Sequence, residues 1–252
     1  MKILGSDYDG TFAEGGIDGE KLAAVAAWRA AGNIFGIVSG RGGDFLPILR
    51  ARHPDLALDF FAACNGAYIT DAEGRPIYEA PCRAVPALEL GEALYDISTV
   101  VSVKVGEHCL YALKEGDTLP EWMVVDEIVP LSSLDTLEYF HCCSICFSSA
   151  VEALAAAERV HATFGDRLRT LPNGNWLDIV DPHINKAEGL LRVAEHFGAE
   201  RADVIAVGDN ANDMDMIRAF RSYAMANGVE ALRAAAGAVA ASVTDIIKLE
   251  LQ

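Results

Sequence analysis

The chain has 252 residues, 52% hydrophobic and 23% charged, with 37 acidic against 20 basic side chains and a formal net charge of -17 at pH 7. That length suffices to bury a full core, as one large domain or two small ones. The acid excess argues against a nucleic-acid binder, whose phosphate contacts need Lys and Arg clusters, and works against binding to anionic membranes.

No run reaches the roughly 18–20 apolar residues of a spanning helix. The amino terminus meets Asp7 before the apolar region of a signal peptide forms, so a cytoplasmic protein is expected. Six cysteines over this length do not read as a disulfide framework.

In chain order, Ile3 to Ser6 is a short apolar run ending on Asp7-Tyr8-Asp9-Gly10-Thr11. Two carboxylates one residue apart repel and lose hydration unless a cation or a proton compensates. Such a pair serves where a metal is held, or where one acid attacks and the other moves protons. Lys21 to Ala31 follows as a helix, with Asp18 as N-cap and Gly32 as its stop. Asn33 to Val38 is a second strand with the polar tip Ser39-Gly40-Arg41, Asp44 to His53 a helix, and Phe60 to Cys64 a third strand ending in Asn65-Gly66. Strand–helix alternation with apolar strands predicts a parallel sheet covered on both faces.

The pattern then changes. Tyr68 to Ala80 reads as a hairpin turning at Gly74, Ala84 to Asp96 as a helix, and Thr99 to Val105 and Cys109 to Leu113 as strands. Further strands are expected near Leu137 to Phe147 and Arg167 to Leu171, with a helix over Ala150 to Phe164. This middle part reads as an α+β module with an antiparallel sheet. Parallel character is expected to resume with Trp176 to Val180, then a helix over Lys186 to Phe197 and a strand over Val204 to Val207 ending in Gly208-Asp209-Asn210-Ala211-Asn212-Asp213. A helix over Met214 to Phe220 and short strands at Ser222 to Met225 and Ala238 to Ala240 complete the chain. The expected organisation is an α/β fold with a Rossmann-like parallel-sheet core, residues 1–82 and 173–252, carrying an inserted α+β cap, residues 83–172.

Four polar groups thus fall at carboxyl ends of parallel strands or at helix starts: Asp7 with Asp9, Ser39, Lys186, and Asp209 with Asp213. Open α/β sheets bind ligands at those ends. Carboxylates from two strands can close on one Mg²⁺, which favours hard oxygen donors, while a hydroxyl and an ammonium hold phosphoryl oxygens.

Together these stretches, in this order, resemble the four motifs of the haloacid dehalogenase superfamily. The Asn65-Gly66-Ala67 turn and the insert between the second and third motifs are similar to the Cof-type sugar-phosphatase branch with a type II (IIB-like) cap. The resemblance implies Asp7 as the nucleophile forming an aspartyl-phosphate, and Asp9 as general acid and then base. It implies Mg²⁺ ligation by the Asp7 and Asp209 carboxylates and the Asp9 backbone carbonyl, with Asp213 holding the metal's waters. Ser39, Gly40, Lys186, Gly10, Thr11 and Asn212 would surround the phosphate, Lys186 also steadying the charge on Asp7. Thr11 either fixes the turn that aims Asp9 or is an ordinary turn residue. Arg41 either touches substrate phosphate or forms a surface salt bridge, the second being preferred. Tyr8 stands where the family commonly has leucine and is expected to pack under the sheet end.

The expected activity is Mg²⁺-dependent hydrolysis of small phosphomonoesters, such as sugar phosphates, the cap excluding water and shaping the leaving-group pocket. The alternatives are a phosphotransferase or sugar phosphomutase using the same aspartyl-phosphate, and a non-catalytic phosphate-binding module. The expected partner is a small phosphorylated metabolite, with neither nucleic acid nor membrane.

His141-Cys142-Cys143-Ser144-Ile145-Cys146, with His108-Cys109 upstream, invites a zinc reading. On a strand, however, Cys143 and Cys146 point to opposite faces and do not chelate together, so buried reduced cysteines are expected. His141 is a candidate substrate contact.

Overall fold

A computed structural model describes residues 1–113, 116, 119 and 127–252 of the chain. It separates into two compact units, one of Met1–Arg41, Phe45–Tyr78 and Asn185–Gln252, the other of Gly42–Asp44 and Glu79–Ile184.

The chain begins with β1 (Ile3–Ser6), wholly buried, then α1 (Gly19–Ala30), β2 (Ile34–Val38), α2 (Phe45–Arg52), β3 (Phe60–Ala63), β4 (Tyr68–Asp71) and β5 (Pro76–Glu79). Asp18 caps α1 as its spacing predicts, its carboxylate accepting the Lys21 amide at 2.9 Å. Within the insert follow α3 (Ala87–Leu94), β6 (Val100–Val105), β7 (His108–Leu113), β8 (Glu127–Pro130), β9 (Cys142–Cys146), α4 (Ala150–Phe164), β10 (Arg169–Asn173) and β11 (Trp176–Val180). The chain then continues as α5 (Lys186–Phe197), β12 (Val204–Gly208), α6 (Met214–Ala219), β13 (Arg221–Met225), α7 (Glu230–Ala235), β14 (Ala238–Ala240) and α8 (Val243–Glu250).

The first unit is built on a sheet of order β14-β13-β12-β1-β2-β3-β4-β5. It is parallel from β14 through β3, and β4 turns antiparallel to β3. From β1 the chain moves to β2 on one side, whereas β12, far later in sequence, pairs with β1 on the other. Strand order therefore reverses between β1 and β12, and their carboxyl ends open the crevice in which α/β sheets hold ligands. Those ends carry Asp7 and Asp209. A cluster of Ile3, Val38, Phe60, Leu190, Val204 and Ala206 with Ala187 and Val193 packs α5 against the sheet beneath them.

The insert is a sheet of order β10-β11-β9-β6-β7-β8, antiparallel except for β7 beside β8. One face packs under its two helices: Val101, Val103, Cys143, Ile145, Leu177 and Ile179 meet Leu90 and Leu94 of α3 and Ala153, Ala156 and Val160 of α4. On the alternate face the register aligns Ser102, Ser144 and Asp178 in one cross-strand row. Lys104 donates to Ser144 Oγ at 2.6 Å and Ser144 Oγ donates to Asp178.

Two expectations are corrected here. Trp176–Val180 does not resume the parallel sheet; it pairs antiparallel with β9 and β10 in the insert. Its apolar run fits a strand buried on both faces in either sheet, and the deciding signal is Asn173-Gly174, a hairpin turn in which Gly174 takes φ +58°. The division accordingly falls after Tyr78 and after Ile184, not after residues 82 and 172. The strand expected over Leu137 to Phe147 is also shorter. A 3₁₀ turn occupies Leu131–Thr136, and Phe140 makes only an isolated bridge to Cys82 before β9 begins.

Candidate active site

Asp7 leaves β1 with its amide donating to Val207 O of the neighbouring strand at 2.9 Å, so strand pairing itself fixes the base of its side chain. The backbone then coils through Tyr8–Phe12, Phe12 N–H returning to Asp7 O at 3.1 Å. Gly10 adopts φ +75°, and a Cβ there would stand 2.5 Å from Asp209 Oδ2. Glycine is thus required for the close approach of this loop to Asp209. Thr11 Oγ donates to Asp209 Oδ1 at 2.7 Å. The hydroxyl therefore fixes Asp209 rather than the turn that aims Asp9.

Lys186 opens α5 and is fully buried. Asn185 caps that helix through the amides of Ala187 and Glu188 at 2.9 and 3.0 Å. The Lys186 ammonium donates to Asp7 Oδ1 at 2.6 Å and to Asp213 Oδ1 at 2.5 Å. The other Asp213 oxygen accepts the amides of Asp209 and Asn210 at 2.9 and 3.0 Å, closing the turn after β12. Gly208 admits that carboxylate, since a Cβ there would meet Asp213 at 2.5 Å. Asn212 lies buried in the same turn.

Burial pushes the Asp7 carboxyl well above the usual carboxylate range, with Lys186 opposing and Asp213 and Asp209 adding to the rise. Asp209 is raised too, by burial first, although the Thr11 hydroxyl pulls it down. Burial works against the Lys186 ammonium, but Asp213 and Asp7 outweigh it and hold its pKa above the ordinary value. Three carboxylates thus cluster where one ammonium serves two of them, with ligand oxygens of Asp7, Asp209 and Asp213 within 4.8 Å of one another. A hard divalent cation with oxygen ligands supplies the missing charge, so these residues fit a metal ion. Asp213 spends both oxygens on Lys186 and two amides, leaving Asp7 and Asp209 better disposed to face an ion directly.

The second polar tip lies beside the first. Ser39 N–H extends the β2–β3 pairing to Ala62 O at 2.8 Å, and its hydroxyl accepts the Arg41 amide at 3.2 Å across Gly40. Asn65 N–H donates to Ser39 O at 2.9 Å from a left-handed turn at φ +55°. Asp9 departs from the close group: its carboxylate accepts Arg41 Nε and Nη2, both at 2.7 Å, with both side chains about half exposed. The preferred surface pairing of Arg41 therefore exists, and its partner is the expected acid/base. Tyr8 packs edge-on to Phe45 at 4.9 Å between ring centroids, as its expected place under the sheet end requires.

Sequence reading missed Asn227, whose side-chain amide donates to Gly10 O at 2.9 Å and ties the loop after β13 to the acidic turn. An Asn-Gly pair reads as punctuation, and nothing local marks it as a brace. His141 is buried in the insert; its Nδ1 accepts the Gly106 amide at 2.9 Å, and its ring lies edge-on to Tyr139. The six cysteines are free and buried, and the aspartate trio is what emerges as a metal-holding group among the described residues. No helix among these residues is long and apolar enough to cross a membrane.

The chain is 27% identical over 255 residues to the 5-amino-6-(5-phospho-D-ribitylamino)uracil phosphatase YbjI of Escherichia coli, covering 94% of this chain and 89% of that protein. Its fold superposes on a HAD/COF-like hydrolase from Plasmodium vivax with a TM-score of 0.85 at 18% identity, over 100% of this chain and 96% of the other. It superposes on the subclass IIB sugar phosphatase BT4131 with a TM-score of 0.79 at 18% identity, over 99% of both chains. The haloacid dehalogenase-like hydrolase family profile matches residues 4–246, and the chain belongs to that family, with an α/β core and an inserted α+β domain.

Proposed function

We propose that the protein is a Mg²⁺-dependent phosphatase that hydrolyses small phosphomonoesters through an aspartyl-phosphate. The observation that carries this reading is the fully buried Lys186 ammonium joining Asp7 to Asp213 at the point where strand order reverses. A buried acid held at 2.6 Å by a cation is oriented as a nucleophile, and the cation offsets charge as phosphate approaches.

In this reading an Asp7 oxygen bonds to phosphorus as the bond to the leaving oxygen breaks, and Asp9 gives that oxygen its proton. Asp9 then takes a proton from water, which attacks the aspartyl-phosphate and frees Asp7. Ser39 and Lys186 hold phosphoryl oxygens, the Gly10, Thr11 and Gly40 backbone lines the approach, and Asn212 orients the phosphate side. Asp7, Asp209 and the Asp9 carbonyl would hold Mg²⁺, with Asp213 behind them, and the ion would supply charge neutralisation for the transferring group. The substrate is a small phosphorylated metabolite of the sugar or sugar-alcohol phosphate kind. The Escherichia coli relative, named for a ribityl phosphate, supports that class.

A panel of phosphomonoesters assayed for free phosphate tests the reading, with Mg²⁺ and with chelator. Release that requires Mg²⁺ and disappears in Asp7→Asn is expected. No release from any ester, or release surviving that substitution, overturns it; isomerised sugar phosphate without free phosphate would mark a mutase.

A further inference from the structure

Arg41 and Asp9 form a bidentate contact at the site that the proposed reaction has to undo. Both Asp9 oxygens accept guanidinium N–H groups at 2.7 Å, so neither faces a leaving group. The guanidinium lies over the Phe45 ring, 4.3 Å from its centroid, and over the Tyr8 ring at 5.5 Å, and these two rings pack edge-on. The Arg41 backbone is pinned at both ends, its amide on Ser39 Oγ and its carbonyl accepting Cys64 N–H at 2.8 Å. A rigid root and an aromatic shelf thus carry a charged fork that swings without moving the chain.

Two further facts give the swing a direction. The pair is about half exposed, so solvent screens it and can take over either partner's hydrogen bonds during exchange. A guanidinium fork fits a phosphoryl group as well as it fits a carboxylate, and the dianion brings more charge. Lys186 is already engaged by two carboxylates, whereas Arg41 has one exposed partner beside the hydroxyl expected to meet phosphate.

We propose that Arg41 is an exchangeable counter-ion: it parks the Asp9 carboxylate while the site is empty and transfers to the oxyanion of an arriving phosphomonoester, releasing Asp9. The inference rests on the phosphatase reading for its substrate, and it adds a binding and positioning role to Arg41.

Calorimetric titration with inorganic phosphate, in Mg²⁺, of the wild type, Arg41→Met, Asp9→Asn and the double variant tests it. Arg41→Met is expected to weaken phosphate binding about tenfold. Asp9→Asn should tighten it several-fold when Arg41 is present, because a competitor is removed, and by a clearly smaller factor when it is not. Equal effects of Asp9→Asn in both backgrounds, or unchanged affinity in Arg41→Met, overturn the exchange. In turnover, Arg41→Met should raise KM for p-nitrophenyl phosphate and an alkyl phosphate alike, with the smaller effect on kcat, and Arg41→Lys should recover part of the loss. A kcat loss confined to the alkyl ester would show instead that Arg41 aims Asp9 during proton transfer, and would also overturn exchange. Absence of turnover in the wild type alongside the expected binding cycle rejects the phosphatase reading alone; turnover with a flat cycle rejects this inference alone.

Discussion

Both sheets of this protein bury charge, and they do so in opposite ways. In the insert, Lys104 of β6 and Asp178 of β11 flank the intervening β9, and the Ser144 hydroxyl joins the cation to the anion. At the β1–β12 crevice, Asp7 and Asp213 both accept from the Lys186 ammonium, and Asp209 adds a third carboxylate within 4.8 Å of theirs. A balanced buried pair contributes to structure without needing anything else, whereas an unbalanced one keeps its desolvation cost until a further cation arrives. The raised Asp7 and Asp209 carboxyls are the local sign of that imbalance. The comparison separates a structural polar cluster from a chemical one by charge count, although both are buried and hydrogen-bonded.

The largest expected effect breaks the chemical cluster. Asp7→Asn removes the proposed nucleophile and should lower phosphate release by about 10³-fold or more. Because it also removes a buried acid that lacks full compensation, metal-free Asp7→Asn should melt no lower than the wild type. Phosphate release and thermal unfolding on one preparation read both outcomes; lost activity with a marked fall in Tm would mean that Asp7 is chiefly structural.

Breaking the ammonium in each cluster sharpens the contrast. Lys186→Met and Lys104→Met each strand buried carboxylate, and each should cost about 3–5 kcal/mol in urea unfolding. The two differ in repair. Adding Asp178→Leu to Lys104→Met empties the insert cluster of charge and should recover most of the loss. Adding Asp213→Leu to Lys186→Met leaves Asp7 and Asp209 facing each other and strips the amide acceptor that closes the turn at Asp209, so little should return. Equal repair in both sheets would refute the distinction.

What the sequence revealed follows the same line. The crevice was legible because its chemistry sits on short contiguous stretches, Asp7 to Thr11, Val38 to Arg41 and Gly208 to Asp213, each at the end of an apolar strand. A helix start was legible where capping is local, as at Asp18, whereas the Ser149 cap, its hydroxyl accepting the Glu152 amide at 3.3 Å, emerges from the structure. The insert cluster was not legible, because Lys104, Ser144 and Asp178 meet through strand register alone. Assigning Trp176–Val180 to the wrong sheet also placed Asp178 on the wrong unit. The Asp9–Arg41 pairing likewise depends on the shelf formed by Tyr8 and Phe45, which no spacing rule contains.

A smaller effect concerns pH and metal. An acid whose folded pKa is raised binds its proton more tightly folded than unfolded, so stability falls as pH climbs from the ordinary carboxylate value through the raised one. For Asp7 and Asp209 the metal-free protein should therefore lose stability on going from about pH 4 upward. Mg²⁺ favours the ionised carboxylates and should oppose that loss, raising Tm more at pH 8 than at pH 5. A Mg²⁺ shift of equal size at both pH values would place the ion away from these acids.

The smallest effect lies in the insert and carries the opposite sign. His141 is buried with Nδ1 accepting the Gly106 amide, and burial, then Arg83, pushes its pKa down to about 4. A proton on Nδ1 would end that hydrogen bond, so the folded insert keeps His141 neutral while the unfolded chain titrates near the usual histidine value of about 6.5. Its contribution is full above that value and is lost as pH falls toward the folded pKa, by at most about 1.4 kcal/mol per pH unit. His141→Gln keeps an acceptor for Gly106 and removes the titration. The variant should be less stable than the wild type by about 1 kcal/mol at pH 7.5, where only packing is lost, and should close or reverse that gap at pH 5. Urea unfolding followed through exchange of the Cys142–Cys146 amides keeps the measurement on this sheet, apart from the crevice acids whose slope runs the other way. A gap of the same size at both pH values would mean that His141 takes up its proton without leaving the fold.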